Sequence, residues 1–309
     1  MARVWTAPQC YDHSEMPAGA SQKQILLLLA LVVFGALSCS PPTSIAAFAG
    51  DADQAITAGA PIFADIYDSC VRRRADEESI TPRFPSAGEK SGDATMESAC
   101  GPFAPEVKEL ESVSTVMSAY FRAMHDLAAF DEATPSGEAE QAGQHFGTAA
   151  VLSATQVDSI AKLSGLITRA VTGHYQRSKL GELLRAADPH IAVVSQALET
   201  ILTKDYGSLL DEEKRALRRR YLEVSGTKEQ AVILLLNRAY SEDLNELQRR
   251  RGAAKAYVET LKQAREGHHQ LASAAGQLNG KETALALQPY ISRLETLMPA
   301  VERLVLKGN

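Results

Sequence analysis

Apolar residues along this chain fall into two kinds of pattern. Near the N-terminus, Ile25 to Leu37 is one unbroken run of 13 apolar or small residues. A run of that length suits the central segment of a secretory signal and is too short to cross a hydrocarbon core roughly 30 Å thick. From about residue 51 onward, apolar residues instead recur every three or four positions. That spacing places them on one face of a helix.

The first predicted helix is capped by Asp51 or Asp53 and runs to about Ala75. Ile56, Phe63, Ile66 and Cys70 form its stripe, and Gly59 and Pro61 interrupt it. Residues 76–103 carry Pro, Gly, Ser and mixed charge without a period, and read as a loop. Pro105 suits the first turn of a second helix, with Glu106 beside its positive end. Its seam is Leu110, Val113, Met117, Tyr120, Met124 and Leu127. Residues 137–153 have no clear pattern. A third helix is predicted from Thr155 to Ala187, through Ile160, Leu163, Ile167, Val171, Leu180 and Leu184. Asp188-Pro189 then reads as the cap and first turn of a fourth, with Gly207 interrupting it before Ser208 to Val224.

Beyond Ser225-Gly226, residues 227–278 contain no proline and predict one long helix. Its 4-3 series is Tyr240, Leu244, Leu247, Arg251, Ala254, Val258, Leu261, Arg265, His268, Ala272 and Ala275, the seam of a coiled coil or long bundle helix. The run Ala231 to Leu236 reads as a buried turn or two of that helix. A last helix is predicted from Glu282 to about Leu306, kinked or divided at Pro289 and Pro299. No strand alternation competes with these stripes. The expected fold is all-α: an elongated antiparallel helical bundle with one long coiled-coil-like helix, forming a single domain over residues 51–309. The seam leaves oligomeric state open, since it closes equally well within one chain or between two.

The N-terminal run carries more information at its end. Lys23 supplies a positive flank, and Met16 offers an alternative start that gives a compact basic leader. The run closes on Ala36-Leu37-Ser38-Cys39, which resembles the lipobox of bacterial lipoproteins. That resemblance covers only the first 40 or so residues. It implies that residues 1–38 are a signal peptide and that Cys39 becomes the first mature residue and carries acyl chains. Residues 39–50, Pro- and Ser-bearing and then Ala-rich, read as a tether. The implied location is the cell envelope, periplasm-facing and bound to membrane through the N-terminal lipid. Ser40, where an Asp is absent, favours the outer membrane. The alternative is ordinary cleavage after Ala47-Phe48-Ala49, which releases a soluble secreted protein from Gly50.

Charge narrows the partners. The net charge is −6, so nucleic acid is not an expected partner. Basic runs at Arg72–Arg74, Lys214–Arg220 and Arg249–Arg251 lie among acids. They read as solvated helix faces with i,i+4 pairing, or alternatively as contacts to anionic headgroups. Of four cysteines, Cys10 precedes the signal and Cys39 is the lipidation candidate. Cys70 and Cys100 remain, an even pair in an oxidising compartment, for which a disulfide is expected. Such a bridge closes a loop of about 30 residues and contributes roughly 3–4 kcal/mol in the chain-entropy model.

Candidate chemistry is sparse. Glu266-Gly267-His268-His269 contains a Glu-x-x-His spacing, used twice over in di-iron bundles but found once here. His125-Asp126 is a dyad without an evident nucleophile. There is no nucleophile elbow, zinc-protease motif, phosphate loop or dinucleotide fingerprint. No catalytic, metal or cofactor residues are assigned. The expected role is a structural or protein-interaction module with a partner in the envelope. The alternatives are a membrane-active helical protein, and an enzyme or ligand carrier with a pocket between helices.

Overall fold

A computed structural model describes residues 43–80, 98–129, 151–172, 179–224, 229–276 and 280–305. Among these residues there is no strand, and the fold is all-α. The α-helices are α1 (Thr43–Ala58), α2 (Ala60–Ile80), α3 (Phe103–Ala129), α4 (Ala154–Thr172), α5 (Leu180–Thr200), α6 (Gly207–Val224), α7 (Gln230–Ser273) and α8 (Gly280–Val305). A six-residue π-helical segment, Ile201–Tyr206, joins α5 to α6 without a break. Among the described residues no helix is long and apolar enough to cross a membrane.

The axis of the bundle is α7, 44 residues long and about 66 Å at a rise of 1.5 Å per residue. Helices α1 and α2 follow one another antiparallel to it. Phe48 lies over Gly267, the turn at Gly59 lies against Tyr257, and Asp65 reaches Arg250. Helix α3 packs on α1, α4 packs on α3 and α5, and α8 covers α7 and α1. The buried stripe of α7 is Leu247, Ala254, Tyr257, Leu261, Ala264, His268 and Leu271, with the Arg250 side chain nearly enclosed as well. The expected seam shares Leu247, Ala254, Leu261 and His268 with this stripe. At alternate positions it is off by one residue. Arg251, Val258 and Arg265 lie beside the interface, and Arg250, Tyr257 and Ala264 occupy it.

Several boundaries differ from expectation. Residues 43–50 are not a tether. They form the first turns of α1, with Ile45, Phe48 and Ala49 fully buried. The reason is their spacing, which continues through Ala52 and Ile56 as one apolar stripe. The loop expected at 76–103 is shorter than that. Helix α2 continues to Ile80, and Ser98 to Cys100 are helical; residues 81–97 lie outside the described ones. Asp188-Pro189 does not start a helix, because α5 runs through it. A proline inside a helix costs about 3 kcal/mol. Burial of Leu183, Leu184, Ala187, Ile191, Val194 and Leu198 on one face outweighs it. Pro289 and Pro299 likewise sit within the single helix α8. Gly207 marks a change of pitch, from π to α, and no interruption. The α3 seam is as expected through Met124, each member being buried.

Cys70 on α2 and Cys100 just before α3 form a disulfide with Cα atoms 5.8 Å apart. The turn between α1 and α2 is held by Gly59 N–H donating to the Ile56 carbonyl at 3.1 Å. Tyr257 O–H donates to the same carbonyl at 3.2 Å. A Cβ at Gly59 would lie 2.0 Å from the Tyr257 ring, which is fully buried and has no room to retreat. Gly59 is outside the helices, so alanine gains no helix propensity there. Gly59→Ala is expected to lower stability by about 1–3 kcal/mol, read as a reduced urea midpoint. An unchanged midpoint would show that Tyr257 does not fill this turn.

Candidate functional site

Two polar side chains interrupt the buried stripe of α7, and each gathers partners from other helices. The first is Arg250. It donates to both carboxylate oxygens of Glu213 on α6, at 2.9 and 2.6 Å, and to Asp65 on α2 at 3.2 Å. Arg72 on α2 donates to the same Glu213 at 2.9 Å and to Asp65 at 2.6 Å. Ser69 completes the shell on Glu213 at 2.6 Å, and Tyr206 O–H donates to Asp65. Glu213 is only 4% exposed. Burial pushes its carboxyl up, but Arg250, Arg72 and Ser69 override this and hold it below the usual carboxylate range.

The three basic runs therefore meet. Arg73 pairs with Glu212, Arg220 with Asp76 and Arg251 with Asp211, so α2, α6 and α7 are joined by ion pairs between helices. Same-helix pairing accompanies these contacts, as in Arg250–Glu246 (i,i+4) and Arg74–Glu77 (i,i+3). Removing one member of a buried pair leaves an uncompensated charge. Arg250→Met is expected to cost about 3–5 kcal/mol. Adding Glu213→Leu to it is expected to restore a substantial part of that loss in equilibrium denaturation. Independent, additive losses would mean that the two side chains do not act as one unit.

The second polar member is His268, fully buried. Its Nδ1 lies 3.1 Å from Asp188 Oδ1 on α5, and its Nε2 lies 2.7 Å from the Tyr120 hydroxyl on α3. One tautomer satisfies both contacts: neutral imidazole donating from Nδ1 to the carboxylate and accepting at Nε2 from the phenol. His269 caps the other Asp188 oxygen at 2.8 Å. Hydrogen bonds from His268 and His269 hold the Asp188 carboxyl below its usual range. Burial pushes the His268 imidazole down, and burial with the nearby Asp188 charge pushes the Tyr120 phenol far up. At neutral pH the row is carboxylate, neutral imidazole and phenol. Its outer end opens on a cleft of about 330 Å³ lined by Asp188, Gln196, Arg265, Glu266, His269 and Tyr290. Tyr120 and His268 lie beneath this cleft with no exposed surface, so the row fastens three helices and offers no reachable nucleophile.

The Glu-x-x-His window thus marks a real site for another reason. His268 is the buried member, Asp188 is its partner from 80 residues upstream, and Gly267 is the seat of the Phe48 ring, 2.4 Å from where a Cβ would stand. Among the described residues no group of three His, Cys, Asp or Glu is placed to hold a metal. His125 Nδ1 lies 3.1 Å from Asp126, partly exposed and against Gly50. His190 is partly exposed, and His145 and His174 lie outside the described residues.

The structure also exposes what the apolar pattern hid. Leu234 and Leu235 on α7 are 63% and 68% exposed, and Leu222 at the end of α6 is 60% exposed. The run Ala231 to Leu236 is therefore not a buried turn. The first turns of α7 lie beside the end of α6. Between them lies a groove of about 210 Å³ lined by Tyr221, Leu222, Ile233, Leu236 and Tyr240. The Tyr221 and Tyr240 rings pack at 5.2 Å. Compared with protein-family models, curated proteins and solved structures, the chain matches none.

His268 is neutral in the fold, with a pKa below its unfolded value near 6.5. As pH falls below about 6.5 the unfolded chain takes up a proton that the fold refuses, so stability drops. Asp188 contributes stability that is lost only at more acid pH, as its depressed folded pKa is passed. His268→Gln is expected to flatten the fall in urea midpoint between pH 7 and pH 5. Parallel profiles for the two proteins would show that His268 is not the group responsible.

Proposed function

We propose that this chain is an exported helical protein, held at a membrane by acyl chains on Cys39, that serves as a protein-interaction module in the cell envelope. The observation that carries the interaction role is the pair of exposed leucines, Leu234 and Leu235, at the free end of α7. Leucines clustered in the open are a liability unless another surface covers them. They stand about 50 Å along α7 from Gly267, where α1 begins its path. Only three residues separate Cys39 from Thr43, a reach of about 14 Å. An anchor at Cys39 therefore ties down the α1 end and leaves the leucine-bearing end to face a partner away from its own membrane.

The buried α1 residues also weigh between the two processing alternatives. Cleavage after Ala49 would strip Ile45, Phe48 and Ala49 from the core, whereas a mature chain starting at Cys39 retains them. The Cys70–Cys100 bridge suits an oxidising compartment. Ser40 after the cysteine favours the outer membrane, and the net acidic charge favours a protein over nucleic acid as partner.

Metabolic acyl labelling and in-cell photo-crosslinking from the exposed position 231, beside the leucines, test the two halves. Cys39→Ala is expected to abolish the acyl label and release the protein from the membrane fraction; a label that persists would refute lipidation there. Leu234→Ser with Leu235→Ser is expected to abolish a defined crosslinked protein band while changing stability by less than about 0.5 kcal/mol, as befits exposed positions. A band pattern indifferent to that double substitution would sink the interaction role.

A further inference from the structure

Because the stripe of α7 is centred on Arg250, Tyr257 and Ala264, the adjacent face bearing Arg251, Lys255, Val258 and Lys262 turns outward beside α5 and α6. It meets the π-helical segment Ile201–Tyr206 there. A π-helical turn carries one residue more than an α-turn and is found disproportionately at functional positions. Here it is followed by Gly207-Ser208, whose small side chains leave space. The result is a groove of about 510 Å³, within the range of small-molecule sites.

Its floor is apolar: Leu202, Leu210, Ala254 and Val258. Its rim is basic. Lys204, Lys255, Lys262 and Arg251 face Asp211 and Glu259, four cations against two carboxylates in a chain whose net charge is −6. Arg251 is taken by Asp211, and Gln263 donates to Glu259 at 2.9 Å. No ion pair joins Lys204, Lys255 or Lys262 to a described carboxylate, although Lys262 lies in the field of Glu199. Elsewhere in the bundle the partly buried arginines are paired between helices. Here three lysines stand without ion-pair partners around one apolar trough.

We infer that this groove binds an anionic amphiphile: a single acyl chain along Leu202, Leu210, Ala254 and Val258, with a phosphate head held by Lys204, Lys255 and Lys262. The lysines supply point charges for a phosphate; half-buried Val258 and the methylene stems of the lysines, over the nearly buried Leu202, Leu210 and Ala254, supply apolar surface that a free phosphate does not use. The site is separate from the leucine-bearing end of α7 and does not depend on lipidation at Cys39.

Calorimetric titration of the full chain with decanoyl lysophosphatidate, below its micelle concentration, tests this. Saturable one-to-one binding is expected. The triple variant Lys204→Gln, Lys255→Gln, Lys262→Gln alters only surface side chains, so its circular dichroism should match the parent. Its affinity is expected to fall about tenfold, each exposed pair contributing a few-fold. Inorganic phosphate alone is expected to bind much more weakly, which separates a lipid from a free-phosphate source. Decanoyl lysophosphatidylcholine is expected to bind weakly too, since its cation cancels the head charge. No saturable binding, equal binding by the triple variant, or phosphate alone matching the lipid would each overturn the proposal. Because partner crosslinking depends on Leu234 and Leu235, failure here leaves the interaction role untouched, and the reverse holds.

Discussion

The bundle depends on how one long helix buries a stripe that is not wholly apolar. Helix α7 offers Leu247, Ala254, Tyr257, Leu261, Ala264 and Leu271 to the core, but Arg250 and His268 stand in the same stripe. A purely apolar stripe tolerates sliding and rotation, because leucine and alanine pack acceptably in several registers. A buried guanidinium and a buried imidazole do not, because each costs several kcal/mol unless its partners are in place. Glu213 and Asp65 answer the first, and Asp188 and Tyr120 the second. The two are 18 residues apart, about 27 Å along the helix. Together they set both the axial position and the rotation of α7 against α2, α3, α5 and α6.

That constraint explains where sequence periodicity succeeded and where it slipped. The seam of α3 was legible because Leu110, Val113, Met117, Tyr120 and Met124 recur at an unbroken 3-4 spacing and are all buried. Along α7 the pattern is nearly degenerate. Tyr257 and Val258 are both apolar, and alanines at 253, 254, 256 and 264 weigh little in any phase. The partnership of Arg250 with Glu213, 37 residues earlier, helps decide the rotation, and no local window contains it. The same holds for His268, whose partner Asp188 reads locally as a helix cap before a proline.

Residues 43–50 were misread for a different reason. Ile45, Phe48, Ala49 and Ala52 already show helical spacing, yet Ala47-Phe48-Ala49 also matches the small-x-small rule for processing. One segment fits two local codes, and in the fold its apolar members are buried. The exposed leucines of α7 were hidden by the opposite effect. An apolar run suggests burial, but Leu234 and Leu235 are exposed among the described residues, and which neighbours reach them is not visible from residues 231–236. The groove beside the π-helical segment required both the true phase of α7 and the change of pitch before Gly207, neither of which periodicity supplies.

The bridge between Cys70 and Cys100 has a topological consequence. It turns the stretch between α2 and α3 into a closed ring of chain, stitched at its base to a core helix. A single proteolytic nick within that ring separates no pieces, because the N-terminal and C-terminal fragments stay covalently tied and remain docked on α7. The molecule would then migrate as one species until a reductant parts it, so the cut protein keeps its assembled form for as long as its surroundings stay oxidising.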